Sequence, residues 1–398
     1  MSTRQLGRAA LVTIVTLPVV AMLTACVAKA TDSIVRVNLS DANCVVQTAT
    51  VPAGVTSFSI TNSGTTVFEF ELVAADQSTM VSEKENIGPG TTVTHTVDLM
   101  AGTYYAGCLP GQVGPLQHLT EFTVTGDRTT ATLSPAQQEA VAAYLNFVRA
   151  EVARLRTDTE AFTAAYASGD DIEARARYAS TRSHYEQIEP IAESFGDLDP
   201  RIDNREVDAV ADGDTWSGFH RIEKDLWPPT AGTLNSDGTD ALTGWTPSTP
   251  AERAHWAEQL TQDVAELDAT VNAANFTLSP AEISNGAIAL LDEVASGKLT
   301  GEEEWWSGVD LVDIAANIAG SEQAFTAVAP LTQDASLRAS IEERFAALHS
   351  ELATYGSLEA GFPPFTTLTN SEIKHLSDLV NALAEPLSRL TADIVSAK

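Results

Sequence analysis

Trp216 to Trp227 reads WSGFHRIEKDLW and is closed by Pro228 and Pro229. On a helix, residues three apart share one face with Cβ atoms roughly 5–6 Å apart, so His220 and Glu223 can share one cation. Phe219, Ile222, Leu226 and Trp227 supply apolar packing to hold them. His-x-x-Glu alone carries little information, because His255 and Glu258 repeat it in HWAE, where it reads as a solvated helix face. The first copy has acidic company. Residues 184–206 read HYEQIEPIAESFGDLDPRIDNRE, dense in carboxylates yet laced with Ile188, Ile191, Phe195 and Ile202. Burying an unpaired carboxylate is costly, so acids interleaved with core positions require a cation or a partner.

One imidazole with several carboxylates is a hard, oxygen-rich donor set. It suits iron, suits manganese and zinc less selectively, and suits Cu(I) poorly. The competing reading is a helix-surface ion pair, with Arg221 or Lys224 beside Glu223. A zinc peptidase would need three protein ligands, an open position and a general base. HExxH is absent, and if Glu223 ligates, that motif holds no base. Glu303, Asp310 and Asp313 read more readily as structural, as does His184. Trp305 and Trp306 more readily close a helical core than stack on a sugar, and no axial-ligand motif argues for haem.

These residues need a scaffold, and 398 residues are enough for two or three domains. Residues 1–25 form an export leader: Arg4 and Arg8, then an apolar run from Leu11 to Met22, too short for a stable span. LTAC ends it at Cys26 and resembles the bacterial lipobox, in which the cysteine is acylated; ordinary secretion is the alternative. A linker, 26–32, follows. Residues 33–126 alternate as strands: Val35, Val37 and Leu39; Phe58 and Ile60; Phe68, Phe70 and Leu72; Val93 and Val97; Phe122 and Val124. Turn signals at 52–54, 62–64, 88–90 and 101–102 separate them, which predicts a small antiparallel sandwich. After a Thr-rich junction the period lengthens. Ser134-Pro135 starts a helix whose stripe is Val141, Leu145, Val148, Val152 and Leu155. Later stripes run from Trp256, Leu337 and Ile373, and Leu-Ser-Pro-Ala at 278–281 echoes 133–136, suggesting two similar helical halves. Residues 133–398 read as a helix bundle, with 228–250 as a long surface loop.

The chain carries 54 acidic and 23 basic residues, a net charge of −31. Loss of the leader removes Arg4 and Arg8 and leaves about −33. Such a surface excludes nucleic-acid binding through a basic patch and concentrates cations. Most of these acids read as a solubility coat.

The stretches YEQIEPIAESFGDLDPRID, GFHRIEKDLW and TGEEEWWSGVDLVDIAANIAGSEQAF resemble the EfeO/imelysin family, as do LSPAQQEAVAAYLNFV and LSDLVNALAEPLSRL. Residues 33–126 are similar to the cupredoxin-like domain that full-length members carry, through VSEKENIGPG and the strand around Cys108. The resemblance implies a multidomain β + α chain: a cupredoxin-like β-sandwich followed by an all-α imelysin-like helix bundle. It also implies a metal set of Glu189, Asp203, His220 and Glu223, with Glu186 as the alternative to Glu189. In the sandwich the implied ligands are Cys44, Glu69 and Cys108, with copper as a candidate ion beside iron. Cys108 lacks His and Met at the spacing of a blue-copper centre, since His118 lies ten residues on, and His95 reads as a core residue. A Cys44–Cys108 disulfide remains the equal alternative. The implied function is non-enzymatic: an exported lipoprotein on the outer face of the cytoplasmic membrane captures iron for an EfeU-type permease, beside an EfeB-type haem peroxidase-like partner. The alternative is an imelysin-type metallopeptidase.

Overall fold

A computed structural model of the chain describes residues 33–77, 80–112, 116–126 and 133–396. The expected leader, the acylated Cys26 and the 26–32 linker lie outside the described residues. Among the described residues no helix is long and apolar enough to cross a membrane.

The β region contains β1 (Ser33–Ser40), β2 (Asn43–Val46), β3 (Thr50–Pro52), β4 (Gly54–Asn62), β5 (Phe68–Val73), β6 (Met80–Ile87), β7 (Thr92–Leu99), β8 (Gly102–Pro110) and β9 (Gln117–Thr125). They form two sheets, ordered β2-β1-β4-β7 and β3-β9-β8-β5-β6. The alternating residues read from the sequence meet between them, with the Phe58 ring 5.3 Å from that of Phe70 and 5.6 Å from that of Phe122. The expectation of an antiparallel sandwich is corrected at two pairs, because β1 runs parallel to β4 and β3 parallel to β9. The chain leaves β1 through the antiparallel β2, crosses to the other sheet as β3, and returns beside β1 in the original direction. A Cys44–Cys108 disulfide ties β2 to β8. Along β5 all six residues are buried, so the face carrying Glu69 and Glu71 is covered rather than solvated.

The helices are α1 (Pro135–Ser168), α2 (Asp171–Glu186), α3 (Leu198–Asp203), α4 (Glu206–Asp212), α5 (Gly218–Leu226), α6 (Pro250–Asn272), α7 (Pro280–Ser296), α8 (Asp310–Val328), α9 (Ala335–Leu352), α10 (Asn370–Leu387) and α11 (Leu390–Ser396). A short 3₁₀ segment, Glu189–Phe195, links α2 to α3. Both Leu-Ser-Pro-Ala starts are capping boxes: Ser134 with Gln137 opens α1, and Ser279 with Glu282 opens α7. The α1 stripe is buried from Val141 to Leu155 and faces one continuous helical core. The loop after α5 is more than a surface feature, since Ala241 and Trp245 are buried.

The described residues from 33 onward form one compact unit. Lys84 of β6 pairs with Asp292 of α7, and Asn86 Nδ2 donates to the Asp292 carbonyl at 3.1 Å. Asn285 Nδ2 of α7 donates to the Thr96 carbonyl of β7 at 2.9 Å. On its other side α7 crosses the 3₁₀ segment so closely that a Cβ on Gly286 would sit 1.5 Å from the Pro190 carbonyl oxygen. That crossing sets the depth of Glu189 in the fold.

Candidate metal centre

Helix α5 is short because its sequence stops it: Trp227 leaves helical geometry ahead of Pro228. Its start is fixed by α3. Gly218 has φ +81°, and a Cβ there would lie 2.1 Å from the Ile202 carbonyl oxygen. Ser217 Oγ donates to the Arg201 carbonyl at 2.8 Å, and Trp216 Nε1 to that of Asn204 at 2.9 Å. These contacts bring the end of α3, and with it Asp203, against the first turn of α5. Gly218→Ala should therefore cost upwards of about 2 kcal/mol from backbone strain alone and push Asp203 away from His220. Urea denaturation would measure the first effect and metal titration the second.

His220 is 2 % exposed and meets carboxylates on both ring nitrogens. Nε2 lies 3.5 Å from Asp203 Oδ1 and 3.5 Å from Glu303 Oε1, and it makes no hydrogen bond. Nδ1 lies 3.3 Å from Glu223 Oε2 and 4.0 Å from Glu304 Oε1. Glu223 is held in turn, its Oε1 accepting the backbone N–H groups of Trp306 at 3.0 Å and Ser307 at 2.7 Å. A small cavity of about 20 Å³, lined by His220, Glu223, Glu303 and Trp306, adjoins the cluster. It is large enough for one water molecule or ion.

The described residues thus contain two candidate donor sets sharing His220: Asp203–His220–Glu303, and His220–Glu223–Glu304. The first has the unbonded nitrogen. In the second, Nδ1 faces a carboxylate already anchored by two N–H groups, the usual way an orienting acid fixes the ring of a ligating histidine. Both sets are mixed imidazole and carboxylate, a fit for iron or manganese.

Of the four helical residues expected from the sequence, Asp203, His220 and Glu223 come together. Glu189 does not join them. Its carboxylate accepts from Lys298 Nζ at 2.8 and 3.0 Å and from Asn317, within a neighbouring group of Glu186, Glu189 and Asp203. Lys298 also bonds Glu186 at 2.8 Å, so an internal ammonium already fills that acid nest. The sequence reads Glu303 as structural and gives Glu304 no role, yet both carboxylates face the His220 ring. The signal was the acid run Glu302–Glu304 set directly against Trp305 and Trp306 between two helical stripes.

The electrostatics fit a site that binds protons when it lacks a cation. Burial and Arg182 press the His220 imidazolium down, but the carboxylates of Glu223, Glu303 and Asp203 outweigh them and lift it to about 9. Burial, then the Glu223 charge, pushes Glu304 well up. Burial also raises Asp203, with Arg182 opposing it. For Glu303 burial is overcome by Lys298, His220 and Arg205, and its carboxyl falls well below the ordinary range.

The sandwich offers a different picture. The disulfide spends both sulfurs, so Cys44 and Cys108 are not available as ligands in this form. Glu69 groups instead with Glu83 and Glu85 of β6. Its carboxyl is pushed well up by burial and then by Glu83 and Glu85. Three carboxylates without sulfur or imidazole are a poor copper set. Glu83 and Glu85 do line a cleft of about 620 Å³ between the sandwich and the helices, which also reaches Glu189, Asp203 and Glu303. Its charged lining is acidic apart from Arg205, and a predominantly acidic cleft focuses potential and draws cations inward.

Comparison with known proteins agrees with this architecture. The Imelysin family model matches residues 140–390, and the Cupredoxin-like domain model matches residues 13–110. The "Iron uptake system component EfeO" proteins of Escherichia coli K12 and of Shigella flexneri are each 37% identical over 362 residues, covering 89% of this chain and 90% of theirs. That of Escherichia coli O157:H7 is 36% identical over the same span. Among solved structures, a precursor protein of Parabacteroides distasonis matches 67% of this chain and 97% of its own length, at 15% identity and a TM-score of 0.46. With a cupredoxin-like sandwich leading into an imelysin helical region, and with this identity over nearly its whole length, the chain belongs to the EfeO/imelysin family.

Proposed function

We propose that this chain is the iron-carrying component of an extracytoplasmic uptake system. It takes one iron ion at His220 Nε2, Asp203 and Glu303 and passes it to a membrane permease of the EfeU type, with an EfeB-type haem peroxidase-like protein as a further partner. Acylated Cys26 would hold it at the outer face of the cytoplasmic membrane. Glu223 orients the ring rather than completing the ligand set, and Glu189 acts through its Lys298 nest at the inner end of the cleft. The observation that carries this reading is the buried imidazole nitrogen with no hydrogen bond, flanked at 3.5 Å by two carboxylates. The relatives' names support the choice of ion, and the acid-walled cleft supplies a route to it. A carrier needs affinity and a way out; it needs no general base, and the orienting role leaves Glu223 unavailable as one.

The test is metal analysis of the purified chain beside a His220→Ala/Glu223→Ala double variant. One iron per chain is expected for the first and none for the second, with circular dichroism showing both folded. Equal iron in both proteins would overturn the assignment. Chelator-sensitive peptide hydrolysis by the loaded protein, lost with His220→Ala, would replace carriage with catalysis.

A further inference from the structure

Arg182 is fully buried on α2, in the middle of the carboxylates that the proposed site would use. Its Nη1 bonds Asp203 Oδ1, the same oxygen that lies 3.5 Å from His220 Nε2. Its Nη2 lies 3.5 Å from Glu303 Oε1, the other oxygen facing that nitrogen. Nε donates to Asp313 Oδ2 at 3.4 Å and lies 2.6 Å from Glu304 Oε1, and Nη2 also bonds Glu186. The guanidinium stands over the Phe219 ring, with 5.8 Å to its centroid.

A guanidinium has no lone pair to give a metal and keeps its charge in any folded protein. It cannot be a ligand, and it holds its positive charge when an ion arrives. An ion entering beside His220 Nε2 must take Asp203 Oδ1 and Glu303 Oε1 at least partly away from it. Glu186, Glu304 and Asp313 remain as its partners, so it need not leave its place.

We propose that Arg182 is an internal counter-cation, competing with the bound ion for the Asp203 and Glu303 oxygens and setting both the valence preference and the releasability of the pocket. The inference rests on the metal reading above and adds a role that reading does not contain. Repulsion by a fixed positive charge scales with the charge of the ion, so Arg182 costs a trivalent ion more than a divalent one. A carrier that must surrender its cargo gains from such a charge: it holds the empty site together and opposes irreversible capture.

The experiment compares Zn²⁺ and Ga³⁺, both redox-inert and diamagnetic, on the full chain and on Arg182→Gln and Arg182→Lys. Arg182→Gln should bind Zn²⁺ about tenfold tighter and Ga³⁺ tighter by a larger factor, since each unit of ion charge adds the same repulsion. Arg182→Lys, which restores the charge, should return the Ga³⁺/Zn²⁺ ratio to that of the unmodified chain. A folded Arg182→Gln protein that binds more weakly, or with an unchanged ratio, overturns the proposal. If that variant does not fold, the unmodified chain decides: the Arg182 Nε–H resonance should move on saturation with Ga³⁺, and a resonance that stays put overturns it. Failure of the unmodified chain to bind either ion sinks the metal reading itself, and this inference with it.

Discussion

Lys298→Met should destabilise the protein by about 3–5 kcal/mol, the range for removing one partner of a buried ion pair. Lys298 is fully buried, with Nζ 2.8 Å from Glu186 and from Glu189, 3.6 Å from Glu293 and 3.9 Å from Glu303. Without it, Glu186 and Glu189 face each other in a desolvated pocket, and burial already lifts the Glu189 carboxyl well above its ordinary range. Urea denaturation of Lys298→Met, Glu189→Gln and the double variant forms the test. Because the cost is an orphaned charge, adding Glu189→Gln to Lys298→Met should recover a large part of it, a coupling that distant sites do not show. The vacated nest retains Glu186, Glu189 and Asp203 as oxygen donors, so millimolar Mn²⁺ should stabilise Lys298→Met more than the unmodified chain. A loss below about 1 kcal/mol, with no coupling, would show that the nest is wet and the lysine dispensable.

The cationic centre of this nest is not legible in the sequence. Apolar period reports which face of an element is covered and marks the β5 and α1 stripes, while Ser-Pro dipeptides mark the starts of α1 and α7 and the proline pair marks the end of α5. His220 and Glu223 are legible because they share one face of an otherwise apolar helix, whereas Asp203 comes only from the family resemblance. Lys298 and Arg182 are not legible, since a basic residue in a chain with such an acid excess reads as solvated surface. Their burial is decided by carboxylates from α2, α3 and the 302–304 turn, which converge only in three dimensions. The same limit applies to Glu189, expected as a metal ligand but held by an ammonium that no spacing rule reveals. The closeness of Asp203 to His220 depends on a positive-φ glycine at 218 that admits the Ile202 carbonyl, a backbone contact without a side-chain pattern. In the sandwich, β2 and β3 are too short to display a period, β6 and β8 do not alternate, and the parallel β1–β4 pair follows from a strand exchange invisible to local period.

The iron-free protein should lose stability as pH rises from about 4 to 9, and a bound ion should flatten or reverse that slope. Burial raises Asp199 from 3.8 to about 6, with the Tyr185 hydroxyl opposing, and raises Asp310 from 3.8 to about 6 against its backbone hydrogen bonds. A carboxyl held above its unfolded value contributes stability that is complete below pH 4 and is lost as pH passes through 6. For these two groups that is on the order of 2–3 kcal/mol each. His220, raised from 6.5 to about 9, acts with the same sign in the next window: its contribution is complete below pH 6.5 and gone above 9. Glu186 and Glu303 are lowered and act oppositely, losing their contribution only on acidification below the ordinary carboxylate range. The raised groups therefore govern the range from 4 to 9. An ion on Nε2 requires the neutral ring and charged carboxylates, so it displaces the protons that stabilise the empty site. Thermal melts from pH 4.5 to 9, with and without saturating Ga³⁺, should diverge as pH rises, and potentiometric titration at pH 7 should record protons released on binding. Parallel melting curves with no proton release would mean that the ion sits away from His220.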